Sequence, residues 1–158
     1  MDSIDNLLSS LAANSPARIF EANHQDLSNL LWGVAVGIKS GLLDANQIAP
    51  LLKSIDDLPP AKTLAMTSQH LGMTLWALAH FATVQNDHLG VCQHAKTVAN
   101  RFVAQILFSI NTFQGRDIAS ISWALATLKI DKEVAGELLP VMARRAVSLQ
   151  EQVVQGKI

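Results

Sequence analysis

Cysteine occurs once in this 158-residue chain, tyrosine not at all, and charged side chains make up only 16%. A single thiol excludes an internal disulfide framework and a multi-cysteine zinc fold. Twelve Lys and Arg stand against thirteen Asp and Glu, for a net charge of −1, so the strongly basic balance of a general nucleic-acid binder is missing. Long apolar runs are missing too. The longest, Leu30 to Ile38 (LLWGVAVGI), is far shorter than the roughly 20 residues that span a bilayer. The opening MDSIDNLLSSL is acidic and lacks the basic start, apolar core and cleavage site of an export signal. These absences lead us to expect a chain outside the membrane, and a cytoplasmic one unless a dedicated machine secretes it. No glycine-rich phosphate loop, H-E-x-x-H or G-x-S-x-G string occurs. No catalytic residue and no cofactor is therefore expected.

What is present is an apolar fraction of 49%, ample for a packed core, and an internal repeat. DLSNLLWGVAVG (Asp26 to Gly37), HLGMTLWALAHF (His70 to Phe81) and DIASISWALATL (Asp117 to Leu128) align on Trp32, Trp76 and Trp123, which stand 44 and 47 residues apart. Upstream, Leu7-Leu8, Ser10, Pro16-Ala17, Gln25 and Leu27 match Leu51-Leu52, Ser54, Pro60-Ala61, Gln69 and Leu71 at a constant offset of 44. Each unit reads as two helices. Apolar residues at Leu71, Leu75, Leu78, Ala79 and Phe81 follow the helical period and not the alternation of a strand. Thr67-Ser68 and Asp117 are expected as N-caps. The second helices are expected over Ala45 to Lys53, Leu89 to Ile110 and Lys132 to Val154, with Pro140 kinking the last or starting a new helix.

A helical pair of this size cannot bury both of its apolar faces alone, so stacked pairs sharing one core are expected. The expected fold is all-α, an α-solenoid of about three repeats of 44–47 residues in one array over residues 1–158, cut from a longer repeat protein. Trp32, Trp76 and Trp123 are expected in the core, with small residues after them (Gly33, Ala77, Ala124, then Ala35, Ala79, Ala126) letting helix axes approach. Two columns vary in chemistry and are expected to face a ligand: Asn29, Met73, Ser120 and, seven residues on, Val36, His80, Thr127. Asp26, His70 and Asp117 extend that stripe. Lys53, Lys96 and Arg144 fall 20 or 21 residues after their tryptophans, one cation per unit, as phosphate contacts would require. His80, His88, Cys92 and His94 cluster in sequence, but not at zinc-finger spacing, and no metal is expected. Asp56-Asp57 before Leu58-Pro59-Pro60 reads as a helix end.

LWALAHF and SWALATL resemble the LWALAKL-type signature of octotricopeptide-repeat proteins, helical-pair solenoids that bind RNA. The unit length, and Cys92 followed by the alanine-rich HAKTVANRFVA, are similar to the repeats of SKWP-type effectors that plant-pathogenic bacteria inject into host cells. The S-K-W-P string itself is replaced by Ala79-His80-Phe81-Ala82 in the second unit. The second resemblance implies a non-catalytic protein-interaction segment of a type III effector, with a host or bacterial protein as partner and delivery into the host cell. The first implies single-stranded RNA as the alternative ligand. Weak self-association through open repeat ends is expected in either case.

Overall fold

The computed structural model describes Ile19, residues 21–84 and residues 90–156, apart from the side chains of Gln47, Pro60 and Leu64. The repeat matches at Leu7-Leu8, Ser10 and Pro16-Ala17 lie outside those residues, as do His88 and Leu89. Every regular element among the described residues is helical. The order is α1 (His24–Lys39), a 3₁₀ turn running into α2 (Ile48–Asp56), α3 (Pro60–Leu64), α4 (Ser68–Ala82), α5 (Val91–Asn100), α6 (Val103–Ser109), α7 (Gly115–Thr127) and α8 (Lys132–Val154). The Trp-bearing helices α1, α4 and α7 pack side by side, with α4 against both of the others. Behind them α2 packs on α5, and α6 on α8.

Local chemistry sets the ends of these helices. Before α1, Asn23 accepts from the Asp26 N–H at 2.9 Å, and the Asp26 carboxylate accepts from the Asn23 N–H at 3.3 Å, a reciprocal capping box. Thr67 caps α4 through the His70 N–H at 3.4 Å, as expected. Asp117 is not an N-cap. It is the third residue of α7, and its carboxylate reaches back to the Gln114 N–H at 2.9 Å. Two helices close with the same paired bonds. Leu42 N–H donates to Gly37 O and Gly41 N–H to Ile38 O after α1; Ile130 N–H donates to Leu125 O and Lys129 N–H to Ala126 O after α7. The turn residue of this motif is left-handed. Gly41 takes it at φ 70°, whereas Lys129 takes it at φ 50° with a side chain. Gly37 also permits a close approach: a Cβ there would stand 2.7 Å from Leu43 Cδ1.

The second helices depart from the sequence reading in two places. The stretch expected as one helix to Ile110 is broken at Arg101-Phe102. The Arg101 guanidinium crosses to the carboxyl end of α2, donating to Ile55 O at 2.7 Å and to the carbonyls of Asp56 and Leu58. Arg145 does the same one unit later, its Nε donating to Phe113 O at 3.0 Å. The break at Pro140 does not occur, and α8 runs through it. The carbonyl that proline leaves unpaired belongs to Gly136, and both residues are exposed, so water can satisfy it.

Trp32 and Trp123 are not core residues, and Trp76 packs against the core only from its edge. Trp32 is 46% and Trp123 44% exposed, and Trp76 is half-buried. The core is filled instead by Phe81, Phe102 and Phe113, with Leu31, Leu71, Leu75, Leu78 and the α2 residues Ile48, Leu51, Leu52 and Ile55, all buried. At about 100° per residue, Leu71, Thr74 and Leu78 lie on the far side of α4 from Trp76. That far side faces the second helices, and the indole is the residue left over.

Phe102→Ala is expected to cost about 3–5 kcal/mol, whereas Trp123→Ala should cost about 1 kcal/mol or less; urea midpoints of the two variants rank them. Lys129→Gly should raise stability by up to about 1 kcal/mol by relieving the left-handed strain, read as an upward shift in the same midpoint.

Candidate functional site

Residues three and four apart share a helix face, and on α1, α4 and α7 this brings the two varied columns and the tryptophans onto one outer stripe. Asn29, Trp32 and Val36 follow one another along α1; Met73, Trp76 and His80 along α4; Ser120, Trp123 and Thr127 along α7. Asn29 is exposed and the other five column residues are partly exposed. Across the helices the rings form a ladder. The Trp32 and Trp76 ring centres are 6.5 Å apart, those of Trp76 and His80 3.7 Å, and those of His80 and Trp123 5.1 Å. His80 Nδ1 lies 3.0 Å from Trp76 O. A carbonyl only accepts, so this nitrogen carries the proton, and the imidazole is held against the indole at a tilt of 34°. Thr127 Oγ1 donates to Trp123 O at 2.9 Å, which engages the hydroxyl expected to meet a ligand.

Two grooves open along the ladder. One, about 280 Å³, is walled by Trp32, Trp76 and Met73 and closed by Ser120 and Arg116. The other, about 360 Å³, lies past His80 against Ile38, Lys39 and Val84. Arg116 escaped the sequence reading. It stands seven residues before Trp123, in a column with Gln25 and Gln69, and all three are exposed. Its spacing from Trp123 is the signal that would have found it.

Of the expected extension of the stripe through Asp26, His70 and Asp117, Asp117 borders the first groove and Asp26 is exposed. Asp26 and Asp117 are engaged at the helix starts, as described above. His70 is half-buried, its Nδ1 and the Thr74 hydroxyl being buried without hydrogen-bond partners. Burial, and then the charge of nearby His24, push the His70 imidazole below its ordinary value.

The cation ladder lies elsewhere. Lys53, Lys96 and Arg144 sit on α2, α5 and α8, and none of them lines either groove. Lys96 is ion-paired with Asp131, while Lys53 and Arg144 are exposed. Their neighbours Arg101 and Arg145 hold backbone carbonyls. Among the described residues no three His, Cys, Asp or Glu side chains cluster as a metal site, and no helix is long and apolar enough to cross a membrane. Cys92 is half-buried near the start of α5.

No protein-family model, no curated protein and no solved structure matches this chain.

The depressed His70 imidazole makes stability depend on pH with a definite sign. As pH falls through about 6.5, the ordinary histidine value, the unfolded chain binds a proton that the folded chain still refuses. Stability is full above that value and is lost below it. Melting temperatures between neutral pH and about one and a half units below the ordinary value should fall in the parent and fall less in His70→Gln. An equal fall in both removes His70 from this role.

Proposed function

We propose that the chain is a non-catalytic α-solenoid binding module whose outer first-helix stripe docks a partner protein. The observation that carries this reading is the ring ladder Trp32–Trp76–His80–Trp123, exposed at both ends and partly exposed between, on the three Trp-bearing helices. Exposing indole to water has no benefit for folding, and contiguous exposed apolar surface marks interaction sites. The composition of the stripe supports a protein partner. Trp, Met and Arg are the residues enriched at the centres of protein interfaces, and charge is depleted there. Met73 adds an adaptable thioether, and Arg116 supplies one guanidinium at the groove mouth. A phosphate backbone would call for several cations beside the rings, and Lys53, Lys96 and Arg144 lie on other helices. The likeness of the units to SKWP-type effector repeats supports a host-cell protein as the partner and a secreted effector as the parent.

Selection from a displayed random peptide library against the folded chain tests the reading, with a random single-stranded RNA pool run in parallel at low and physiological salt. Selected peptides are expected to lose at least tenfold in affinity, about 1.4 kcal/mol, on Trp32→Ala or Trp123→Ala. They should be indifferent to Lys53→Ala. RNA binding that persists at physiological salt and is lost in Arg116→Ala would replace the protein partner with RNA. Peptides indifferent to both tryptophans would remove the stripe.

A further inference from the structure

The groove walled by Trp32, Trp76 and Met73 is bordered by α1, α4 and α7 alone, and two of its residues stand where they weaken the fold. The first is Gly72. Glycine inside a helix is less stable than alanine, and no neighbour requires it here: a Cβ built on Gly72 meets nothing within 4 Å. Ser28 and Ala119, which hold the same column on α1 and α7, both carry side chains. The room that Gly72 leaves belongs to the groove.

The other is Arg116. It is the second residue of α7, where the positive end of the helix dipole opposes a cation. Gln25 and Gln69 hold the same column without charge. Lys39, by contrast, stands in the last turn of α1, where a cation is favoured. Among the described residues no hydrogen bond, ion pair or ring contact engages the Arg116 guanidinium. The carboxylate that borders the groove, Asp117, is buried and holds the Gln114 N–H at 2.9 Å. The groove is thus an apolar recess with an unpaired positive charge at its mouth. At about 280 Å³ it falls below the roughly 300–1,000 Å³ of sites for drug-sized molecules, and suits one side chain of a longer ligand.

We propose that this groove seats a large apolar side chain of a partner peptide, and that Arg116 pairs with an aspartate or glutamate close to that side chain in the partner's sequence. The proposal rests on the reading of the stripe as a protein-docking surface and names the chemistry of what docks there, an acidic segment with an apolar anchor. Trp32 and Trp76 supply contact area for the anchor. A guanidinium holds a carboxylate through two parallel N–H donors, and the indoles beside it exclude part of the water that would screen the pair.

Peptides recovered from the displayed random library on the folded chain test this. Those that need Trp32 are expected to carry Asp or Glu close in sequence to a Leu, Ile, Phe or Trp, in excess over the unselected library. Arg116→Glu removes an attraction and adds a repulsion, and should weaken them about tenfold. Exchanging the peptide's acid for lysine should restore binding to that variant and not to the parent, a rescue that a merely structural role would not give. Gly72→Leu fills the recess and should weaken the same peptides about tenfold or more. Melting temperatures near the parent's show that both variants are folded. Trp32-dependent peptides that lack the acidic excess, or that keep full affinity for Arg116→Glu or Gly72→Leu, overturn the groove assignment and leave the stripe as a docking surface. A library in which no peptide depends on Trp32 or Trp123 removes both.

Discussion

Three sides of α4 are occupied, by α1, by α7 and by the second helices behind it, and the rest of the structure depends on that enclosure. A helix held on three sides has one strip left for water. Leu71, Leu75, Ala77, Leu78, Ala79 and Phe81 fill the enclosed sides, and the two alanines keep the neighbouring axes close. The remaining strip is narrow, and Trp76 and His80 stand on it. The indole at the centre of each repeat signature is therefore a surface feature produced by the completeness of the packing around it.

Charge is organised by the same enclosure. Two of the carboxylates nearest the stripe, Asp26 and Asp117, are engaged at helix starts, where they oppose the positive end of the helix dipole. Arg101 and Arg145 close carbonyl groups at the ends of the preceding unit's second helix. Little unpaired charge is left near the ladder beyond Arg116 and Lys39. The ion pairs and charge-assisted bonds of the chain thus work at helix termini and unit boundaries, and the outer strip is left with little charge.

The repeat, the helical class and the start of α4 at Thr67 were legible in the sequence because each has a local signature: a constant offset, a 3.6-residue period and a capping hydroxyl. The varied columns were legible as well, and Asn29, Met73, Val36 and His80 do lie on the outer strip. The tryptophans were misplaced by size alone, since a large apolar ring is ordinarily buried. Their spacing contradicted that: Trp76 is three residues after Met73 and four before His80, so a stripe containing both must contain it. The break at Arg101-Phe102 was not legible, because it is drawn by carbonyls 43 to 46 residues away in sequence. Continuity through Pro140 depends on the exposure of Gly136, which no local pattern encodes. The ion pair that engages Lys96, offered as a phosphate contact, was not legible because Asp131 is 35 residues distant.

With no tyrosine in the chain and all three tryptophans on one strip, nearly all of the long-wavelength aromatic absorbance, and the fluorescence it excites, originates on that face. The molecule carries its own optical reporter. An occupant that seats against the ladder changes the solvent around every strong chromophore at once, and one that docks on the second helices changes almost none of them. Conventional tryptophan emission will follow unfolding poorly for the same reason, since Trp32 and Trp123 are already half in water, and helical circular dichroism is the better measure of the fold.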